Sequence, residues 1–246
     1  MKFMNAFQLK LLMVFLMVLN HICYIEHLVP DRLALAFTII SRCVAPMFAY
    51  FAVEGIRKTR NLKKYCLRLA VLAGIVFVGN GILKTVLGNF GLSGWRRPLE
   101  NNVIFTLALG VIAIALIQWG KVKQGIDGKC CYVLSALCFL MGFFMGEWGS
   151  VLLPFMFIEY FFQEKKIIRF AGYLLIEIIA ILLPFSEPYW FLVFPFILLY
   201  NGERGPKTKF CQYFFYVFYP VHLWIIEVIS LFFLLAKRGG FHEYKC

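Results

Sequence analysis

Residues 19–28 read LNHICYIEHL, and residues 41–69 read SRCVAPMFAYFAVEGIRKTRNLKKYCLRL. His21 and Arg42 lie inside two hydrophobic segments of this region, and a dense basic loop follows the second segment. Ionisable side chains are costly within segments that are long enough to cross a bilayer, and they commonly mark substrate or ion sites. The region therefore predicts a functional site embedded in a membrane.

The composition of the chain predicts an integral membrane protein. Hydrophobic residues make up 62% and charged residues 15% of the 246 residues, and the mean hydropathy is +0.79. Several segments hold about 20 apolar residues, the length that an α-helix needs to cross a hydrocarbon core of about 30 Å. We therefore predict an all-α fold, a polytopic transmembrane helical bundle in which residues 1–246 form a single integral-membrane domain.

The hydrophobic segments predict about nine spans. We place them at residues 6–28, 33–53, 66–88, 101–120, 130–146, 148–163, 167–185, 188–201 and 210–236. Spans five and six are short and are separated only around Glu147-Trp148-Gly149, so one long broken helix or a re-entrant pair also fits. The start of the chain has no cleavable-signal pattern, and the first span is expected to remain a membrane helix.

The distribution of Lys and Arg predicts the orientation in the membrane. With the N-terminus in the cytoplasm, seventeen basic residues fall on the cytoplasmic side and seven on the other, with Arg42 inside span two. Cytoplasmic loops carry an excess of basic residues, so this asymmetry predicts a cytoplasmic N-terminus and an outer C-terminus. The net charge of +12 is interpreted as part of this topology, and no nucleic acid partner is expected.

Three ionisable residues are the candidate site. At about 1.5 Å of rise per helical residue, His21 lies two-thirds of the way out along span one. On the same rise, Arg42 lies about 14 Å in from the outer end of span two. His222 lies near the middle of span nine, just after Pro220, where the helix is expected to kink. All three are expected to reach one cavity, although His222 taken alone could equally stabilise helix packing.

Four acidic residues in or near the spans receive weaker assignments. Glu177 and Glu227 are candidate partners for Arg42, or they satisfy contacts within the bundle. Glu54 and Glu159 fall near the cytoplasmic face and are expected to be solvated.

The basic loop allows two interpretations. Six Lys and Arg residues fall within twelve positions, between Arg57 and Arg68. Such a cluster can serve topology and contact anionic lipid head groups. It can also attract a cytosolic phosphorylated ligand, because one Arg guanidinium can donate two hydrogen bonds to a phosphate group and Lys adds a positive charge. Composition does not separate these alternatives.

Neither a metal site nor a nucleotide-hydrolysis site is predicted. The four histidines (21, 27, 222 and 242) and the eight cysteines lack the ligand spacing that zinc sites use. No Walker-type glycine loop is present, which makes ATP-driven transport an unattractive interpretation.

Several motifs in order along the chain point to one family. They are Asn20-His21, then Arg42 with APMFAYF at 45–51 and Glu54-Gly55, then Thr59, Asn61, Tyr65 and Arg68-Leu69, then NVIFTL at 102–107 with Gly110, and FYPVHL at 218–223. Together these motifs resemble the TraX family of membrane acetyltransferases, over the length from span one to span nine. Two positions depart from the family pattern, since this chain has Asn20 and Glu147-Trp148-Gly149 where the family often has Asp and Asp-Tyr-Gly. Asn20 could orient His21 but not raise its basicity as an Asp would.

The resemblance implies acetyl transfer from cytosolic acetyl-CoA to an acceptor at the outer face of a bacterial inner membrane. It implies that His21 acts as general base or nucleophile and that Arg42 and His222 support it. Arg42 would donate to the oxyanion or bind a phosphate of CoA. The residues that the resemblance implies for CoA are Arg57, Lys58, Arg60, Asn61, Lys64, Tyr65 and Arg68. Supporting residues would be Asn20, Asn101, Asn102 and Glu147, although the two adjacent asparagines are also typical helix caps. Acetyl-CoA is thus the expected donor, membrane lipids are expected contacts, and no metal is expected.

Three functions remain open from the sequence. One is acetylation of a peptide amino terminus, by family resemblance that of a pilin-like peptide. Another is acetylation of a sugar or lipid hydroxyl, for which Trp95, Trp148, Tyr189 and Trp190 could stack on sugar rings, although such aromatic residues are common at membrane interfaces. The third is a permease or assembly subunit without enzymatic activity. The oligomeric state is not predicted.

Overall fold

A computed structural model describes residues 3–25, 28–89, 102–123, 125–182, 189–206 and 208–240. The described residues form α-helices connected by short turns, which confirms the all-α prediction. The helices are α1 (Ala6–Ile22), α2 (Asp31–Ser41), α3 (Val44–Lys58), α4 (Leu62–Asn89), α5 (Val103–Val122), α6 (Gly125–Met145), α7 (Gly149–Phe161), α8 (Lys166–Leu182), α9 (Val193–Leu199) and α10 (Lys209–Gly240). A 3-10 turn at Trp190–Leu192 precedes α9.

Five helical segments of the described chain are long and apolar enough to cross a membrane. They are Asp31–Lys58, Leu62–Leu87, Val103–Val122, Gly125–Met145 and Tyr213–Phe233. Three shorter apolar helices are Ala6–Ile22, Gly149–Phe161 and Trp190–Leu199. The protein is therefore a helical membrane protein, as its composition indicates. The count of nine spans and the side of the N-terminus remain predictions.

Asparagine caps stabilise the beginnings of α1 and α5. The Asn5 side chain accepts the Gln8 backbone N–H at 3.0 Å, and the Gln8 side chain accepts the Asn5 N–H at 3.0 Å. This reciprocal pair satisfies two amides that the first turn of α1 would otherwise leave without partners. Asn102 caps α5 in the same way, accepting the Phe105 N–H at 3.1 Å. Of the two asparagines assigned to the mouth of span four, Asn102 therefore acts as a helix cap, and Asn101 lies outside the described residues.

Predicted spans five and six are two separate helices. α6 ends at Met145, a tight turn follows, and α7 begins at Gly149 and packs back against α6. Trp148, in the turn, has a φ of 55°, a conformation that non-glycine residues rarely adopt. A Cβ atom on Gly149 would overlap the backbone carbonyl of Gly142. The single broken helix is therefore excluded.

Replacing Gly149 with alanine is expected to destabilise the protein by about 1–3 kcal/mol, the usual cost of forcing an extra carbon into a packed contact. The obstacle is the Gly142 backbone, which cannot rotate away as a side chain would. Thermal unfolding in detergent measures the effect. Gly74→Ala and Gly81→Ala are matched controls on α4, because a Cβ at either position meets nothing within 4 Å. Equal midpoints for Gly149→Ala and the controls would contradict the contact.

The chain divides into two compact units. Unit 1 consists of Met1–Val44, Phe77–Asn101 and Leu199–Cys246, and unit 2 of Ala45–Val76 and Asn102–Leu198. In unit 1, α1 packs against α2 and α10. In unit 2, α5 packs against α6 and α7, and α7 against α8, around a core that includes Ile114, Leu152 and Met156. The prediction of a single domain is not tested by this division.

Candidate functional site

His21 and His222 form a buried pair in unit 1. Their side chains are 8% and 6% exposed, and Nδ1 of His21 lies 2.9 Å from Nε2 of His222. The two rings are nearly parallel, with 14° between their planes. The contact joins the end of α1 to the middle of α10 and so brings together two residues that the sequence assigns to one site.

The hydrogen bonds of the pair determine where the protons lie. His222 Nδ1 lies 2.9 Å from the Phe218 carbonyl oxygen, which can only accept, so in a neutral ring Nδ1 carries the hydrogen. Nε2 of His222 then has a lone pair and accepts the N–H of His21 Nδ1. Because a neutral imidazole has one N–H, Nε2 of His21 has the second lone pair. The geometry therefore selects the His21 tautomer that can accept a proton at Nε2.

Aromatic side chains surround the pair and connect it to Arg42. The ring of Phe218 stacks on His222 at 4.9 Å between centroids, and the ring of Tyr24 lies 5.7 Å from that of His21. Arg42 lies where α2 gives way to α3, is half-buried, and has Tyr24 as an electrostatic neighbour. All three predicted catalytic residues thus belong to one neighbourhood. Sequence reasoning missed Tyr24, which lies three residues after His21 in the turn that follows α1, where its backbone N–H donates to the His21 carbonyl at 3.0 Å.

In the described part of the chain, the hydrogen-bond partner of the His21 ring is His222 and not its neighbour Asn20. The Asn20 backbone carbonyl accepts the Cys23 N–H at 3.2 Å. The tautomer of His21 is therefore set by a residue 201 positions away rather than by its neighbour in sequence.

Several residues assigned to CoA have structural contacts in unit 2. Arg57 pairs with Glu159 at 3.2 Å, and Lys58 pairs with Glu54 at 3.0 Å. The Tyr65 hydroxyl is buried and donates to the Ala52 carbonyl at 3.1 Å. Asn61 caps α4 by accepting the Lys64 N–H at 2.9 Å. The side chains of Arg60, Lys64 and Arg68 are exposed, as is that of Lys63, so the positive charge of these four residues lies on the protein surface.

Glu159 corrects an expectation, because it is fully buried rather than solvated. One carboxylate oxygen accepts from Arg57 at 3.2 Å and from Arg169 at 3.0 Å, and the other accepts the Tyr173 hydroxyl. Arg57 also donates to the backbone carbonyl of Glu159. The carboxylate therefore joins α3, α7 and α8. The sequence predicts a solvated Glu159 because its two arginine partners cannot be recognised there: one lies 102 residues before it and the other 10 residues after it.

Comparison with known proteins agrees with the motifs. A family model described as "TraX protein" matches residues 6–230. The chain belongs to the TraX family. It is 25% identical over 246 residues to "Probable fimbrial assembly protein FimC, serogroup H1" of Dichelobacter nodosus, an alignment that covers 93% of this chain and 96% of the relative. No solved structure matches the chain.

The TraX motif at Asn102–Leu107 supports the turn that contains Glu147. The hydroxyl of Thr106 donates to the Glu147 backbone carbonyl at 2.9 Å, and Asn102 Nδ2 donates to the Ala73 carbonyl at 3.1 Å. Burial raises the pKa of the Glu147 carboxyl to about 7, and N–H donors from Asn102, Trp148 and Val103 oppose that rise. Two residues that were assigned to support, Asn102 and Glu147, thus lie together in unit 2 of this TraX protein.

The stability of the TraX protein is expected to fall with rising pH because of Glu147. Its ordinary pKa is 4.5 and its pKa in the folded protein about 7, so the folded state holds the proton more tightly. The contribution to stability is therefore full below pH 4.5 and is lost as the pH rises to about 7. Unfolding midpoints across this range should decline less steeply in Glu147→Gln than in the wild type. The exposed Glu164→Gln is the control, and an unchanged slope in Glu147→Gln would refute the assignment.

Among the described residues, no group of three or more His, Cys, Asp or Glu side chains is arranged to hold a metal ion.

Proposed function

We propose that this TraX protein is a membrane acetyltransferase that transfers an acetyl group from acetyl-CoA to an amine, with His21 as general base. The observation that carries the proposal is the relay from Phe218 through His222 to His21, which leaves the lone pair on His21 Nε2. A neutral, buried histidine with an oriented ring can remove a proton in an acyl transfer. Membership of the TraX family supports this chemistry.

In the proposed reaction the amine nitrogen attacks the thioester carbonyl of acetyl-CoA while His21 Nε2 takes the proton from the nitrogen. The tetrahedral intermediate collapses, the carbon–sulfur bond breaks, and the proton passes from His21 to the departing CoA thiolate. The products are the acetylated amine and CoA. Arg42 would stabilise the oxyanion of the intermediate, because a guanidinium donates charged hydrogen bonds.

The exposed cations at the start of α4 would bind the phosphates of CoA. Lys63 and Lys64 lie in the first turn of α4, and Arg60 and Arg68 lie on either side of them. A helix N-terminus carries partial positive charge, so cations in the first turn repel it and an anion relieves the repulsion. Arg57 and Tyr65 would instead maintain the structure around this group through their buried contacts.

The acceptor we propose is the amino terminus of a pilin-like peptide, at the outer face of a bacterial inner membrane. The supporting observation is that a relative is named a probable fimbrial assembly protein. The same name favours a second candidate, an assembly subunit that binds a pilus protein without acetylating it.

Transfer from radiolabelled acetyl-CoA by the purified protein in detergent tests the proposal. The acceptors are a peptide with a free amino terminus, the same peptide with a blocked amino terminus, and a monosaccharide. Label on the free peptide alone is expected. Label on the sugar alone would make the protein an O-acetyltransferase. Binding of peptide without any transfer would favour the assembly subunit.

A further inference from the structure

Unit 2 contains two carboxylates, those of Glu147 and Glu177, that each have a buried oxygen without a partner. Glu177 is 4% exposed, and its Oε1 accepts the Tyr189 backbone N–H at 2.6 Å. Its Oε2 is buried and unpartnered, as is Oε2 of Glu147. A buried acceptor without a partner costs free energy, more so when it is charged, so each such oxygen is able to accept a hydrogen bond from a ligand or from a water molecule.

The indole rings of Trp148 and Trp190 join the two carboxylates into one cluster. Trp148 donates to Glu147, its ring meets that of Trp190 at 5.2 Å between centroids, and Trp190 follows Tyr189, whose amide binds Glu177. Trp190 packs against Val151 and Ala180 and is 5% exposed. Its Nε1–H is buried and also unpartnered. These contacts link residues that together hold two acceptors and one donor without partners, next to aromatic rings.

The charges in this cluster select the class of ligand. Within the part of the chain that the structure describes, neither Glu147 nor Glu177 forms an ion pair with a Lys or Arg. Above about pH 7, where the Glu147 carboxyl with its raised pKa is ionised, two carboxylates without cations attract a positive ligand, and indole rings favour a cation further. The unpartnered Oε2 atoms need N–H donors, which a primary ammonium has and a quaternary ammonium lacks. The unpartnered Trp190 N–H needs an acceptor, which must be neutral because an anion would be repelled by the carboxylates.

We propose that Glu147, Glu177, Trp148 and Trp190 form a binding site for a primary ammonium ion that carries a neutral hydrogen-bond acceptor beside its nitrogen. The ammonium donates to Oε2 of Glu147 and of Glu177, and the acceptor receives the Nε1–H of Trp190. This inference goes beyond the proposed function, since it assigns a ligand to unit 2 whether or not His21 transfers an acetyl group.

Binding is measured without acetyl-CoA, so a failure of acetyl transfer does not bear on it. The probes are ethanolamine, with a hydroxyl acceptor, and alaninamide, with a carbonyl acceptor, each titrated into the purified protein in detergent by calorimetry at about pH 7.5, where the free α-amine is still mostly charged. Two analogues serve as controls. N-acetylalaninamide lacks the ammonium, and tetramethylammonium keeps the charge without N–H groups. Tighter binding of alaninamide indicates an amino-acid-type ligand, and tighter binding of ethanolamine an amino-alcohol head group.

Glu177→Gln is expected to weaken binding of the better probe by about tenfold or more, since hydrogen bonds to charged groups contribute about 1.5–3 kcal/mol. Trp190→Phe keeps the ring and removes the N–H, and it should weaken that probe while leaving methylammonium, which has no acceptor, unchanged. Glu164→Gln, on an exposed residue, is the matched control, and thermal midpoints verify that each variant is folded. Equal binding of tetramethylammonium or N-acetylalaninamide, or no binding of either probe to the folded wild type, would overturn the proposal.

Discussion

Replacing His21 with alanine is expected to lower the rate of acetyl transfer by about 10²- to 10⁴-fold, the usual contribution of a general base. The variant removes the Nε2 lone pair that the hydrogen bonds of the histidine pair leave on His21, which is the proposed base. The substitution leaves the exposed cations of α4 unchanged, so the KM for acetyl-CoA should change little while kcat falls. Single-turnover transfer of radiolabelled acetyl groups measures the effect. Transfer at the wild-type rate would rule out His21 as the base.

The neighbouring His222 provides a matched comparison. Glutamine at this position has a side-chain oxygen that can accept the His21 N–H, whereas phenylalanine has an aromatic ring without such an acceptor. We therefore expect His222→Gln to retain more activity than His222→Phe, and the loss to appear in kcat. The pH profile separates orientation from packing, because a residue that only fills space would leave the profile unchanged when it is replaced. Equal activity of the two variants would contradict the orienting role.

Replacing Glu159 with alanine is expected to destabilise the protein by about 3–5 kcal/mol, because it leaves two guanidinium groups without their carboxylate in a buried setting. Arg57 and Arg169 contact the same oxygen of Glu159, which is fully buried, and Tyr173 donates to the other. The free energy of unfolding in detergent, from denaturant or thermal unfolding, measures the loss.

Two further variants make the interpretation of Glu159→Ala specific. Glu164→Ala removes a carboxylate that is exposed, and exposed charges contribute about 0–1 kcal/mol. Arg169→Met removes one of the two cations and leaves Glu159 paired with Arg57, so it should cost less than Glu159→Ala. If Glu159→Ala has the same free energy of unfolding as Glu164→Ala, the buried ion cluster does not stabilise unit 2.

Local patterns in the sequence are sufficient to predict that the protein is a helical membrane protein and to predict where α1 and α5 begin. Apolar segments of membrane length predict helices because a bilayer offers no partners for backbone N–H and C=O groups. Asn5 and Asn102 precede apolar runs, and a short polar side chain in that position binds the free amides of the next turn. These features depend on residues within one turn of each other, so they can be predicted without knowing how the chain folds back on itself.

The sequence also predicts three site residues, His21, Arg42 and His222. Ionisable groups inside apolar segments are costly and are rarely retained without a role. Their roles could not be read in the same way. The tautomer of His21 depends on a contact with α10, 201 residues away, and the sequence pointed instead to its neighbour Asn20. Glu159 looked solvated in the sequence, yet it is fully buried and its carboxylate contacts two arginines.

The amino-acid sequence identifies a helical membrane protein of the TraX type, with histidines and an arginine inside its apolar segments, because hydropathy and capping act along one segment. The pairing of the polar groups, the positions of the protons in the histidine pair, and the carboxylate oxygens and indole N–H that remain without partners depend on how the chain folds. Hydrogen bonding and burial depend on the positions of groups from different helices, and those positions are set by how α1 meets α10 in unit 1 and how α3, α7 and α8 meet in unit 2.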